Sequence, residues 1–112
     1  MAKSSTKTYA RMTLEALSLL ADAIKTARRE KGIRAQELAE RAGISRGLLQ
    51  RIERGDPGCS IGAVFEVATI LGIPLFHPDP ETRALHHKQL QQWLTLLPKD
   101  VRKKRIQVDD RF

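Results

Sequence analysis

The chain is poor in cysteine, in aromatic residues and in long apolar runs. Its 112 residues include three Phe, one Trp, one Tyr and one cysteine, Cys59, which has no second cysteine for an internal disulfide. No apolar run approaches the ~18 residues that a membrane-spanning helix requires, and residues 1–8 lack the apolar core of a secretory signal. These absences predict a cytoplasmic protein with neither a membrane span nor a disulfide framework.

Residues that favour strands are also scarce. No four consecutive residues are β-branched or aromatic, whereas Ala, Leu, Glu, Lys, Arg and Gln dominate. This composition predicts an all-α fold with one compact domain and flexible ends. The sequence shows no nucleophile beside a base, no glycine-rich phosphate loop and no paired carboxylates, so we expect no enzymatic activity.

Positive charge is in excess. The chain carries 20 Lys and Arg against 13 Asp and Glu, a formal net charge of +7 at pH 7. Much of the surplus lies at the ends, with seven basic and three acidic residues in 1–31 and six and three in 98–112. A polyanion is therefore the expected partner, with simple solubility as the alternative explanation.

Apolar periodicity and capping residues together predict five helices. Thr13, Ser45 and Ser60 each precede a periodic segment and can accept hydrogen bonds from its first free N–H groups. Glycine or proline follows the end of each segment, where a helix has to stop. The expected helices cover about residues 14–31, 36–42, 46–54, 61–71 and 81–97, with 13–76 as one domain, 77–97 as an additional amphipathic helix, 1–12 as a disordered arm and 98–112 as a basic flexible tail.

Residues 34–55 have the pattern of a helix-turn-helix. Two short segments meet at a turn containing Gly43, an arrangement that lets the second helix enter a DNA major groove. On that helix Leu48, Leu49 and Ile52 point inward, and hydrogen-bond donors dominate the other side. Arg can bridge O6 and N7 of guanine, and Gln can bridge N6 and N7 of adenine. We predict base contacts from Arg46, Gly47, Gln50 and Arg51, with a solvated helix face as the alternative.

The same region resembles a known family. The run QELAERAGIS at 36–45, followed by LQRIERG at 49–55, resembles the Xre/Cro family of phage-repressor-type regulators. The resemblance spans about residues 20–75. It implies a five-helix phage-repressor-like domain that works as a homodimer and reads double-stranded DNA with its third helix. Two-fold symmetry would match a palindromic operator.

The resemblance also implies roles for residues that flank the reading helix. In this family an Arg late in the first helix often pairs with a Glu near the end of the third, here Arg28 with Glu53; two independent surface charges are the alternative. Where the family begins its second helix with Thr or Ser and then Gln, this chain has Arg34 and Ala35, and the Gln arrives one place late. The phosphate anchor is thus lost, shifted to the later Gln, or replaced by Arg34. The predicted phosphate contacts are Arg28, Arg34, Gln36, Ser45 and Arg54.

A narrower resemblance concerns the segments around and beyond the fourth helix. The run IGAVFEVATILGIPLF at 61–76, with LLPK at 96–99 and VDDRF at 108–112, is similar to HipB-like antitoxins. This implies a HipA-like kinase toxin as a partner and repression of the operon that encodes both. A phage or plasmid repressor with no toxin partner is the alternative.

The fifth helix and the tail offer further candidate surfaces. Leu90, Trp93, Leu94 and Leu97 share one side of the helix and predict a dimer or partner interface, with core packing against the first helix as the alternative. The basic run 102–105 contacts DNA or an acidic partner, or is simply solvated. Residues 106–108 are a weaker candidate for a short strand added to a partner.

Two other kinds of site are not expected. His86 and His87 diverge by about 100° on a helix, and neither they nor His77 have metal-ligand spacing, so we expect no metal and no cofactor. RNA is disfavoured because an α-helix cannot read the deep, narrow major groove of A-form RNA.

Overall fold

The computed structural model of the chain describes residues 8–101, which contain helices and no strand. The predicted all-α fold is confirmed for this part of the chain. The predictions for the basic run 102–105 and for 106–108 lie outside the described residues. The five helices are α1 (Arg11–Glu30), α2 (Ala35–Ala42), α3 (Arg46–Glu53), α4 (Ile61–Ile70) and α5 (Pro80–Leu96).

Side-chain caps set the starts of α3 and α4, as predicted. Ser45 Oγ accepts from the Leu48 N–H at 3.0 Å, and Ser60 Oγ accepts from the Ala63 N–H at 3.4 Å. Each bond satisfies one of the N–H groups that a helix start leaves without an internal partner. Gly43, at the end of α2, has φ 70°, a left-handed conformation that glycine adopts without steric cost.

Three helix starts and four helix ends differ from the predicted bounds, each by one residue except the start of α1. α1 begins at Arg11 rather than after Thr13, and its N-cap residue, Ala10, makes no side-chain cap bond. Because Arg and Met are good helix formers, the helix continues past Thr13 toward the N-terminus, so the predicted arm 1–12 is too long at its end. α5 begins at Pro80, since Asp79 accepts from the Thr82 N–H and proline suits a first helical turn. α3 ends at Glu53, one residue early.

The core is built by the first four helices. α2 packs against α3 and α4, and α1 packs against α3. Among the described residues, no polar or charged side chain is buried. Each of the four helices contributes one large side chain that is essentially inaccessible to solvent: Ile24, Leu38, Leu49 and Val67. This cluster holds one side of α3 and leaves the other side at the surface.

The described residues fall into two compact units that divide between Leu75 and Phe76. The second unit contains α5, in which no residue is buried. At 100° per residue, Leu90, Trp93 and Leu94 lie within an arc of about 100° and are all exposed. Leu97 follows the helix end, with extended backbone, and is exposed too. None of the helices in residues 8–101 has the length and apolar character needed to cross a bilayer.

Truncating a core residue tests this packing. We expect Leu38→Ala to lower the free energy of unfolding by about 2–5 kcal/mol, because the substitution removes buried methyl groups and leaves a cavity. Leu19, on α1, is 72% exposed, so Leu19→Ala is the matched control, with a change below about 0.5 kcal/mol. Urea unfolding followed by circular dichroism measures both. Equal losses in the two variants would contradict the assigned core.

Candidate nucleic-acid interface

A tight three-residue turn joins α2 to α3. Gly43, Ile44 and Ser45 lie between the helices. The Gly43 N–H donates to the Glu40 carbonyl at 3.1 Å, and the Ile44 N–H donates to the Ala39 carbonyl at 3.0 Å. Ile44 also packs against the core. The turn is therefore anchored by its backbone and by one apolar side chain, which fixes the direction in which α3 leaves it.

The two sides of α3 differ sharply in burial. Leu49 and Ile52 are buried, and Leu48 is half-buried against them. At 100° per residue, all four predicted base-contact residues lie within an arc of about 140° on the other side. Three of these residues are exposed and the fourth is half-buried, namely Arg46, Gly47, Gln50 and Arg51. The structure thus brings the predicted reading residues together, and their DNA contacts stay a prediction.

An ion pair ties the end of α1 to the end of α3, as the resemblance implied. Arg28 Nε lies 2.7 Å from Glu53 Oε2, and Arg28 Nη2 lies 3.1 Å from Glu53 Oε1. Arg28 Nη1 donates to the Ile33 carbonyl at 3.1 Å. The two side chains are only 13% and 12% exposed, and the hydrogen bond to Glu53 raises the pKa of Arg28. The pairing is confirmed, and the alternative of independent surface charges is wrong.

This pairing limits what Arg28 can offer to DNA. A guanidinium has five N–H donors, and Arg28 uses three of its own inside the protein. The predicted phosphate contact of Arg28 therefore has two donors left on a largely covered side chain. The main task of Arg28 in this structure is to hold α3.

The start of α2 bears on the unusual Arg34 and Ala35 pair. Arg34 is the N-cap residue, its side chain makes no cap bond, and it is exposed. Gln36 Nε2 donates to Glu40 Oε2 at 3.1 Å, which directs the Gln36 amide along α2. The Arg34 side chain thus lies at the surface, and the phosphate contacts of Arg34 and Gln36 stay predictions.

Three arginines stand at the ends of α2 and α3. Arg34, Arg46 and Arg54 make no ion pair within residues 8–101. Arg41, by contrast, lies 3.8 Å from Glu37 on the exposed side of α2. Because Arg54 caps α3 and Ser45 begins it, predicted phosphate contacts flank the reading residues at both helix ends.

Asp56 is a residue that the sequence reasoning missed. Its Oδ2 accepts from Arg51 Nε at 2.9 Å, and its Oδ1 accepts from the Gly58 N–H at 2.8 Å. These bonds, the Gly58 N–H first and Arg51 next, lower the pKa of the Asp56 carboxyl. The available signal was the Asp-Pro-Gly turn directly after α3, which the sequence indicates only as a turn.

Comparison with known proteins agrees with this geometry. Residues 24–77 match the family model described as Helix-turn-helix. Residues 24–77 therefore have the helix-turn-helix fold and resemble DNA-binding domains of that kind. That match includes all of α2, α3 and α4, and with them the turn and every predicted base-contact residue. This domain type presents a recognition helix to the DNA major groove and is common in transcriptional regulators.

The chain is similar to the crystal structure of the clp gene regulator ClgR from Corynebacterium glutamicum, with 28% sequence identity and a TM-score of 0.47. The similarity covers 71% of this chain and 88% of that chain. No curated protein matches the chain.

The ion pair between Arg28 and Glu53 is expected to contribute measurably to the free energy of unfolding. We expect Glu53→Gln to lower the free energy of unfolding by about 1–3 kcal/mol, because it weakens two charge-assisted bonds to a largely covered Arg28. Glu37→Gln is the control, since it removes a carboxylate from an exposed pair worth below about 0.5 kcal/mol. Thermal and urea unfolding report both changes. A Glu53→Gln protein as stable as the control would contradict the proposed hold on α3.

Proposed function

We propose that this chain is a cytoplasmic, sequence-specific repressor that binds a palindromic operator in double-stranded DNA as a homodimer. The single observation that carries the proposal is the exposed side of α3, where Arg46, Gln50 and Arg51 lie opposite the buried Leu49 and Ile52. Two copies related by a two-fold axis would read half-sites about 34 Å apart. The proposal assigns binding and no catalysis.

In this proposal the phosphate contacts supply affinity for DNA of any sequence, and the base contacts supply sequence preference. Arg34 and Arg54 make no salt bridge within residues 8–101, so their guanidinium groups can neutralise phosphates of any sequence. Arg46, Gln50 and Arg51 carry the donors that discriminate base edges. A Cβ at Gly47 would meet Ser45 Oγ only at 4.0 Å, an ordinary contact, so the protein does not require glycine there; the missing side chain lets the start of α3 approach the groove floor closely.

Two arginine substitutions separate these roles. We expect Arg51→Ala to weaken the cognate site by about 1–3 kcal/mol and to relax one base position, whereas Arg54→Ala weakens all sequences alike. Binding of both wild type and variants should fall steeply with salt. The operator is first selected from a random duplex library, and fluorescence anisotropy then gives the affinities.

Arg41→Ala is the control for that experiment, because Arg41 lies on α2, is paired with Glu37 and belongs to neither contact set. It should bind like the wild type. If Arg51→Ala and Arg54→Ala also bound like the wild type, the assignment of the α3 side to DNA would be wrong. An RNA duplex serves as competitor and should not displace the operator.

We further propose that the repressor is a HipB-like antitoxin that binds a HipA-like kinase toxin and represses their shared operon. The resemblance of 61–76 and 96–99 to that group supports this proposal. The exposed apolar side chains of the α5 unit support it too, because Leu90, Trp93, Leu94 and Leu97 fit a dimer or toxin interface. A phage or plasmid repressor is the competing function. An adjacent gene for a HipA-like kinase would favour the antitoxin, and an integrase gene would favour the phage repressor.

The antitoxin proposal is tested by co-expression with the product of the neighbouring reading frame. We expect a Leu90→Ala, Trp93→Ala double variant to lose copurification of a HipA-like product, since it removes the centre of the apolar surface. Leu85→Ala is the matched control, because Leu85 and Leu90 are both 56% exposed but Leu85 lies outside the arc of Leu90 and Trp93. Unchanged copurification of the double variant would contradict this interface. A parallel loss in Leu85→Ala would contradict it as well.

A further inference from the structure

The turn after α3 is attached to Arg51 at two points. The Asp56 N–H donates to the Arg51 carbonyl at 3.0 Å, and Asp56 Oδ2 accepts from Arg51 Nε at 2.9 Å. The backbone bond fixes where Asp56 stands relative to α3, and the side-chain bond fixes where the guanidinium of Arg51 stands. A predicted base-contact residue is thus held by the same protein segment that ends its helix.

Asp56 is itself oriented by the turn. The Gly58 N–H donates to Asp56 Oδ1 at 2.8 Å, so one carboxylate oxygen is taken by the backbone while the other faces Arg51. A carboxylate bonded in this way cannot rotate freely about its terminal torsion. Its Oδ2 therefore stays directed at Arg51 Nε.

Gly58 leaves the space that the guanidinium occupies. A Cβ at this position would lie 3.2 Å from Arg51 Nη2 and 3.3 Å from Asp56 Oδ1, closer than ordinary van der Waals contact. Gly58 is not among the glycines with positive φ, so its backbone conformation does not require glycine. The effect of its missing side chain falls on the Arg51 and Asp56 pair.

The pairing suits one particular DNA contact. Asp56 engages Nε of Arg51, and the two terminal nitrogens carry the N–H groups that bridge O6 and N7 of guanine. The Asp56 carboxylate also offsets the charge of Arg51, which reduces the attraction of Arg51 for phosphates of any sequence. Both effects favour base choice over general affinity.

From this geometry we infer that Asp56 is a positioning residue that holds Arg51 for the recognition of one guanine, with Gly58 providing the room. The inference rests on the proposed function, since it deepens the reading role of α3. Asp56 touches no base in this scheme and acts through Arg51. Removing its charge therefore changes discrimination at one base pair rather than binding as a whole.

The test compares full-length variants on the operator selected with the wild type. The base pair read by Arg51 is identified as the position at which Arg51→Ala loses its preference. We expect Asp56→Asn to reduce the preference for guanine at that position by about three- to tenfold. Its affinity for unrelated duplex DNA should stay the same or rise, because one negative charge is gone. Gly58→Ala should reduce the preference at the same position while keeping the carboxylate.

Asp22→Asn is the control with the same chemical change. Asp22 is exposed on α1 and lies 3.6 Å from Lys25, away from α3 in the sequence. This variant also raises the net charge by one, so it reports what charge alone does to general affinity. It should keep the wild-type preference at every base pair.

The other possible results contradict either the proposed function or only the inference about Asp56. If the wild type shows no sequence preference on duplex DNA, the proposed function fails and the inference fails with it. If the wild type discriminates but Asp56→Asn keeps its preference, only the inference is overturned. A parallel loss of affinity for all sequences would show a merely structural role and would overturn it too. Should Asp56→Asn not fold, Gly58→Ala decides, and an unchanged preference in that variant overturns the inference.

Discussion

Burial of one side of α3 is the constraint on which the rest of the helix-turn-helix domain depends. Leu49 and Ile52 belong to the cluster that α1, α2 and α4 complete. A helix of only eight residues has little stability of its own in water, so its position comes from this packing. Because the apolar residues recur every three or four positions, burying them places the arginines and Gln50 at the surface together.

Two ion pairs involve α3 and have different effects: one orients the whole helix, and the other positions a single side chain. The Arg28 and Glu53 pair is nearly covered and joins two helices, so it orients the whole helix. The Arg51 and Asp56 pair is half-exposed, with side chains 43% and 30% accessible, and joins a helix to the turn that follows it. A covered pair is worth most when both partners are fully bonded. A half-exposed pair contributes less to stability but can still select the position of a long side chain.

These ion pairs reduce the positive charge that is available to bind a polyanion. Arg28 and Arg51 are bonded to carboxylates, while Arg34, Arg46 and Arg54 have no such partner in residues 8–101. The net charge of +7 therefore overstates what any one surface offers. The candidates for phosphate contacts are therefore a few guanidinium groups without a salt bridge, at the ends of the two short helices α2 and α3.

Local sequence determined much of this protein by itself. Serine caps, Gly43 and the apolar spacing in α2 and α3 act within one or two helical turns, so the all-α fold, the turn and the outward side of α3 could be predicted. The Arg28 and Glu53 pair could be predicted only through a family resemblance, because no local pattern joins residues 25 positions apart.

Only the tertiary structure decided the remaining features. The start of α1 at Arg11 depends on weak propensities that no cap residue reinforces. The role of Asp56 depends on how the turn folds back, since the backbone bond to the Arg51 carbonyl and the missing Cβ of Gly58 bring carboxylate and guanidinium together. Periodicity tells which residues share a side of a helix. Distances between side chains across a turn follow from three-dimensional packing, and sequence spacing does not contain them.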